Sequence, residues 1–214
     1  MALRRFYRVL SKHFGPQHWW PGDTTFEIVV GAILTQNTAW ANVEKAIANL
    51  KRAGALSVAA MGALAEGDLG KLIRPSGYYN QKAKKLKAFL AYLQQRHGGS
   101  LRRMFRVPTR QLRQELLAIH GIGEETADSI LLYGGNHPIF VVDAYTRRIL
   151  QRHQMIPASA SYRQIQEVFH RHVAPSAPVY NEFHALLVQT GKQHCWKSEP
   201  RCAGCPLEGF PHRV

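Results

Sequence analysis

Apolar residues recur at intervals of three and four along most of the chain. Phe26, Val30, Ile33 and Leu34 fall on one helical face, as do Val43, Ile47 and Leu50, and again Leu86, Leu90 and Leu93. No stretch shows the alternation of a half-buried strand. Proline and glycine interrupt the helical pattern at Trp20-Pro21-Gly22, Arg74-Pro75-Ser76-Gly77, His97-Gly98-Gly99, Val107-Pro108, Gly134 to Pro138 and Ala174 to Pro178. The pattern predicts many short helices, hence an all-α protein. The absence of any fixed-period repeat argues against a solenoid.

Leu112 to Leu150 carries the most specific grammar, LRQELLAIHGIGEETADSILLYGGNHPIFVVDAYTRRIL. Leu112, Leu116 and Leu117 give one helix its apolar face, Gly121-Ile122-Gly123 turns tightly, and Ala127, Ile130 and Leu131 resume the period. That is helix, hairpin, helix. Two glycines let the backbone come close to a ligand, and the amides of the turn and of the following helix suit a phosphate. A lone Gly-x-Gly is equally an ordinary turn. The sequel adds weight, because Phe140-Val141-Val142 leads an apolar run into Asp143 at the head of another helix. By itself Asp143 reads as a helix cap contributing about 1 kcal/mol.

Composition then narrows the partner. Lysine and arginine number 28 against 14 acidic residues, a formal charge of +14 with a pI near 10.1. An excess spread over the whole chain points to a polyanion, nucleic acid foremost. The competing reading, a surface kept basic for solubility, is weaker because the charges are not confined to a tail. A length of 214 residues with 45% hydrophobic content and a mean hydropathy of -0.25 excludes disorder and suffices for one core or two small lobes. The longest apolar run, Ile28 to Leu34, is too short to span a bilayer, and MALRRFYRVL lacks a secretory signature. The expectation is a cytoplasmic monomer without a membrane partner, nucleoid-associated if prokaryotic.

With the hairpin and the Val-Asp helix start in view, the chain resembles the helix-hairpin-helix DNA glycosylases of the endonuclease III type. The likeness runs from Phe26 to the cysteines near Cys205. Trp19-Trp20-Pro21, Thr35-Gln36-Asn37-Thr38-Ala39-Trp40, the stretch from Ile73 to Lys84, and Gly121-Ile122-Gly123-Glu124-Glu125-Thr126-Ala127-Asp128 look closest to the 3-methyladenine DNA glycosylase branch. The resemblance implies a two-lobe all-α fold. A helical-barrel lobe would cover 23–137, a second lobe 1–22 with 138–214, and double-stranded DNA holding a damaged base would lie in the cleft between them.

The resemblance also implies an activity: a DNA N-glycosylase of base excision repair that flips an alkylated purine such as 3-methyladenine and removes it by hydrolysis. Asp143 would be the catalytic carboxylate, stabilising the oxocarbenium character of the sugar. Bifunctional members carry a lysine just after the hairpin. Here Glu125 stands there, and no lysine occurs between Lys87 and Lys192, so water is the expected nucleophile. The alternatives are an oxidised-pyrimidine or mismatch glycosylase with AP lyase activity, and a DNA-binding relative without turnover.

An alkylated purine is cationic and binds well between aromatic faces, each contact contributing about 0.5 to 2 kcal/mol. Trp20, Pro21 and Trp40 are the first candidates for such a base pocket and Trp19 the alternative, with core packing the competing reading for each tryptophan. Gln36, Asn37, Gly121, Ile122, Gly123, Glu125 and Thr126 are the candidate DNA-contacting residues. Without the resemblance, Gln36 reads as a helix end and Asn37-Thr38 as the start of the next helix. Lys82, Lys84, Lys85 and Lys87 read equally as a DNA-contacting run or a solvated helix face.

Cys195, Cys202 and Cys205 follow the spacing Cys-x6-Cys-x2-Cys, three-quarters of the [4Fe-4S] loop of endonuclease III relatives. Pro211 stands where a fourth cysteine would, with His212 beside it. Three readings follow: a cluster completed by His212 or an external ligand, a Cys3His zinc site, or a remnant without metal. The unbroken spacing favours the cluster. Any metal there would be structural, shaping a basic loop that contains Lys192, Lys197, Arg201 and Arg213.

Overall fold

The computed structural model describes residues 2–213, and no strand occurs among them. The helices are α1 (Ala2–Phe14), α2 (Thr25–Leu34), α3 (Trp40–Arg52), α4 (Val58–Ala63), α5 (Glu66–Leu72), α6 (Tyr79–His97), α7 (Leu101–Met104), α8 (Thr109–Leu117), α9 (Glu124–Ser129), α10 (Ala144–Arg152), α11 (Tyr162–His172) and α12 (Ala177–Gln193). A 3-10 turn covers Arg74–Ser76, and a π-helical turn, Ile130–Gly134, prolongs α9. The helices fall into two compact units: Met1–Trp20 with Asn136–Val214, and Pro21–Gly135.

In the unit Pro21–Gly135, α2 is the central helix. The sequence assigns it a single apolar face, but from Phe26 to Leu34 every residue except Ile28 is buried. The reason is that α3, α6, α9 and the π-helical turn all pack around it, and a helix enclosed on all sides can be apolar all round. Thr24 starts it, its hydroxyl accepting the Glu27 N–H at 3.1 Å while the Glu27 carboxylate accepts the Asp23 N–H at 3.2 Å. Helix α6 stops where Gly98 takes φ +56, which lets Gly98 N–H donate to Gln94 O (2.9 Å) and Gly99 N–H to Leu93 O (3.0 Å).

The other unit is built on α12, whose Tyr180, Phe183, Ala185, Leu186 and Leu187 are fully buried. Helix α1 brings Leu3, Phe6 and Leu10 to this core, and α10 brings Ile149 and Leu150. The apolar run 139–142 is buried without belonging to any sheet, so its backbone polar groups need other partners. Helix α11 supplies them. Phe140 N–H donates to His170 Nε2 (3.1 Å), Gln166 Nε2 donates to Phe140 O (2.7 Å), and Val142 N–H donates to Tyr162 Oη (3.3 Å). The Phe140 ring stacks on Phe169 at 3.6 Å between centroids. The lead-in to Asp143 is therefore held on both its backbone and its side-chain faces.

Candidate active site

Asp143 is the N-cap of α10. Its Oδ1 accepts the Thr146 N–H at 2.7 Å, which satisfies one of the open amides of the first turn. The positive end of the α10 dipole also favours a negative charge there. Its Oδ2 lies 3.6 Å from His184 Nε2, and the carboxylate keeps 14% exposure against 5% for that imidazole. A carboxylate so placed is fixed by one strong hydrogen bond and remains open on one side.

The hairpin Gly121-Ile122-Gly123 joins α8 to α9. Gly121 takes φ +81, which favours glycine, and a Cβ there would come within 2.5 Å of the Lys85 side chain. Ile122 is buried and anchors the turn from below. Gln36 reaches the same place from the end of α2, its Nε2 donating to Gly121 O (3.1 Å) and to Thr126 Oγ1 (2.8 Å). Lys85 Nζ in turn donates to Gln36 Oε1. Gln36, Gly121 and Thr126 thus come together, with Ile122 and Gly123 in the same turn. Glu125 is exposed on α9. Asn37 is exposed in a left-handed turn at φ +52. It does not open the next helix, as Asn37-Thr38 would on sequence grounds, because α3 begins at Trp40 with Ala39 as its N-cap.

The lysine run of α6 is divided between buried and exposed positions. Lys82 is buried and donates to Leu34 O (2.9 Å) and Ser76 O (2.6 Å), with burial and the neighbouring Lys85 pulling its pKa down to about 8. Lys87 donates to Met61 O (3.0 Å), Gly62 O (2.8 Å) and Leu64 O. Of the four, only Lys84 is exposed. The periodicity contained the signal for Lys82, which lies four residues before Leu86 on the apolar stripe.

The aromatic candidates are partly exposed. Trp19 and Trp20, joined by a cis peptide bond, meet edge to face at 5.9 Å, and Lys192 Nζ sits 5.6 Å from the Trp19 ring. Pro21 is exposed at the start of the other unit. Trp40 is the first residue of α3, its indole N–H donating to Glu44 Oε1 at 2.9 Å.

Cys195, Cys202 and Cys205 line one cavity together with His153, His194 and His212. Among the described residues, however, no three histidine, cysteine or acidic side chains converge closely enough to hold a metal ion. Cys195 Sγ accepts a hydrogen bond from Arg152 at 3.1 Å, and His212 Nδ1 lies 2.8 Å from Phe210 O in its own loop. Burial, reinforced by Cys195 and Cys202, pushes the Cys205 thiol above its ordinary pKa. This donor set does not fit the four-ligand cluster expected with His212 as its last member. A cluster needs convergent ligands, whereas Cys195 Sγ is engaged by Arg152 and the His212 ring lies against Phe210 O.

Three residues outside the sequence-based candidates support these elements, each within its own unit. Arg113 on α8 grips the buried Asp128 on α9 with two hydrogen bonds, 2.6 and 3.1 Å, locking the two helices of the hairpin. His184 faces Asp143. Gly191 on α12 lets Tyr145 of α10 pack against bare backbone, since a Cβ there would come within 2.8 Å of Tyr145 Cβ. An Arg-Asp pair fifteen residues apart and a glycine inside a helix carry no distinctive sequence signal.

Comparison with known proteins agrees with this architecture. Residues 30–175 match the HhH-GPD superfamily of base excision DNA repair proteins. MJ1434 of Methanocaldococcus jannaschii, whose name assigns it provisionally to the DNA repair glycosylases, is 44% identical over 210 residues, covering 97% of this chain and 94% of its own. The 3-methyladenine DNA glycosylase MagIII of H. pylori, solved with 1,N6-ethenoadenine, superposes with a TM-score of 0.77 at 30% identity, over 90% of this chain and 96% of that one. A trapped endonuclease III–DNA covalent intermediate shares the fold at a TM-score of 0.83 and 22% identity, over 98% and 93% of the two chains. The chain belongs to the HhH-GPD superfamily and is a DNA glycosylase of base excision repair.

Proposed function

We propose that this glycosylase removes alkylated purines such as 3-methyladenine by hydrolysis and leaves an abasic site without cutting the strand. The observation that carries this reading is the pairing of a held carboxylate with a missing amine. Asp143 is fixed by Thr146 N–H at 2.7 Å, while Glu125 occupies the place after the hairpin where bifunctional relatives have lysine. Lys82, Lys85 and Lys87 are engaged by carbonyl oxygens or by Gln36. An alkylated purine is already cationic, so its N-glycosidic bond breaks with the electron pair passing to the base. Water then adds to the sugar carbon and gives up a proton. At about 4 Å and an effective dielectric near 20, a carboxylate attracts the oxocarbenium centre by roughly 4 kcal/mol. Trp20, Pro21 and Trp40, with Trp19 the alternative, are the candidates to grip the flipped base, and the hairpin amides, backed by Gln36 and Thr126, would hold a phosphate. The similarity to MagIII supports the substrate class.

The experiment is base release from duplexes bearing 3-methyladenine, 1,N6-ethenoadenine, an oxidised pyrimidine or a G·T mismatch, with borohydride present in parallel. Release of the alkylated purines without a covalent adduct is expected. A trapped protein–DNA adduct, or release confined to the pyrimidine and mismatch duplexes, overturns the proposal in favour of a lyase.

A further inference from the structure

His184 lies in the middle of α12 among fully buried neighbours and sends Nε2 to within 3.6 Å of Asp143 Oδ2. Its ring meets Phe140 edge to face at 6.2 Å, so one side chain touches both the reactive acid and the lead-in that delivers it. The two carboxylate oxygens have different neighbours: Oδ1 has the Thr146 amide and Oδ2 has His184. A carboxylate held at one oxygen can still swing about its bond to Cβ. The His184 contact, at 3.6 Å, is longer than a hydrogen bond; closed to one, it would hold the second oxygen and fix the plane, and Oδ2 would keep a second lone pair for the reaction.

We propose that His184 is a positioning residue that presents Nε2–H to Asp143 Oδ2 and fixes the carboxylate plane while leaving its charge undiminished. The charge state of this partner matters as much as its place. A cationic imidazole would cancel the field that stabilises an oxocarbenium ion, whereas a neutral one orients the acid and leaves the field intact. Full burial lowers the imidazole pKa below its ordinary value, more than the nearby Asp143 raises it, and so keeps the ring neutral near pH 7. A residue of this kind works through Asp143 and makes no contact with DNA, so its removal affects turnover and spares binding.

The inference rests on the catalytic reading of Asp143, and the test separates the two. Single-turnover base release from an alkylated-purine duplex, and affinity for a duplex holding a tetrahydrofuran abasic analogue, are measured for wild type, His184→Phe, His184→Gln and Asp143→Asn. His184→Phe keeps the bulk and loses the donor. Its release rate is expected to fall roughly 10- to 100-fold, the scale set by an ångström of misplacement, with affinity unchanged. His184→Gln, whose side-chain amide can reach Oδ2, recovers most of the rate. An unchanged rate in His184→Phe, or an equal fall in both variants, overturns the proposal. If Asp143→Asn keeps the full rate, the catalytic reading itself fails. A spectroscopic arm needs neither His184 variant nor substrate: the side-chain nitrogen resonances of His184 in wild type are expected to move in Asp143→Asn, and identical spectra also overturn the proposal.

Discussion

Replacing Arg113 with methionine keeps most of the stem and removes the charge that faces Asp128. The Asp128 side chain is 0% exposed and that of Arg113 is 22% exposed, and the pair is bidentate, with Nε–Oδ1 at 2.6 Å and the second contact at 3.1 Å. Glu124, 3.4 Å from the same guanidinium and 45% exposed, adds little. Removing the arginine takes a bidentate partner from a buried carboxylate, a loss of about 3 to 5 kcal/mol. Partial exposure of the arginine favours the lower end. For a chain of this length, a change of that size lowers the melting temperature by about 6–20 °C. Thermal unfolding followed by circular dichroism measures it, and hydrogen exchange across α8 and α9 localises it. The double variant Arg113→Met/Asp128→Asn should regain much of the loss, because the uncompensated charge is then gone. An Arg113→Met protein within about 0.5 kcal/mol of wild type would refute the reasoning and reduce the pair to an ordinary surface contact.

Lys82, buried on α6, and the contact of α10 with α12 can be tested in the same way. Lys82→Met leaves the Leu34 and Ser76 carbonyls without their donor and should cost about 2–3 kcal/mol in urea unfolding. The sign of its pH dependence follows from a folded pKa of about 8 below the ordinary 10.5: between these values the unfolded chain binds the extra proton, so wild-type stability gains from Lys82 as pH rises through that window. Lys82→Met should lack this gain, and stability curves of equal slope from pH 8 to 10 would contradict it. Gly191→Ala places a methyl group within 2.8 Å of Tyr145 Cβ and should cost about 1–3 kcal/mol, together with a loss of base release because Asp143 caps α10. Wild-type stability and release in that variant would show that the two helices part freely.

Much of this was legible in the sequence because helices announce themselves locally. The stripes at Val43, Ile47 and Leu50 and at Leu86, Leu90 and Leu93 lie in α3 and α6, and Gly121-Ile122-Gly123 turns between two helices. Asp143 at a helix start was legible for the same reason, since capping is a short-range signal. What the sequence hid depends on contacts distant along the chain. The partners of Gln36 at Gly121 and Thr126 are 85 and 90 residues away. Lys82 reads as polar, yet its ammonium can be buried because two carbonyls from other segments meet it. The cysteine spacing describes order along the loop and not convergence of the side chains, and among the described residues no group of three such side chains gathers to hold a metal ion.

In the proposed mechanism the Asp143 carboxylate drives release of the damaged base. The direct measurement is the single-turnover rate of release of an alkylated purine by wild type and by Asp143→Asn at saturating enzyme. If the charge supplies roughly 4 kcal/mol to the transition state, the variant should be about 1000-fold slower while binding the abasic analogue as tightly as wild type. Equal rates in the two proteins would contradict the account.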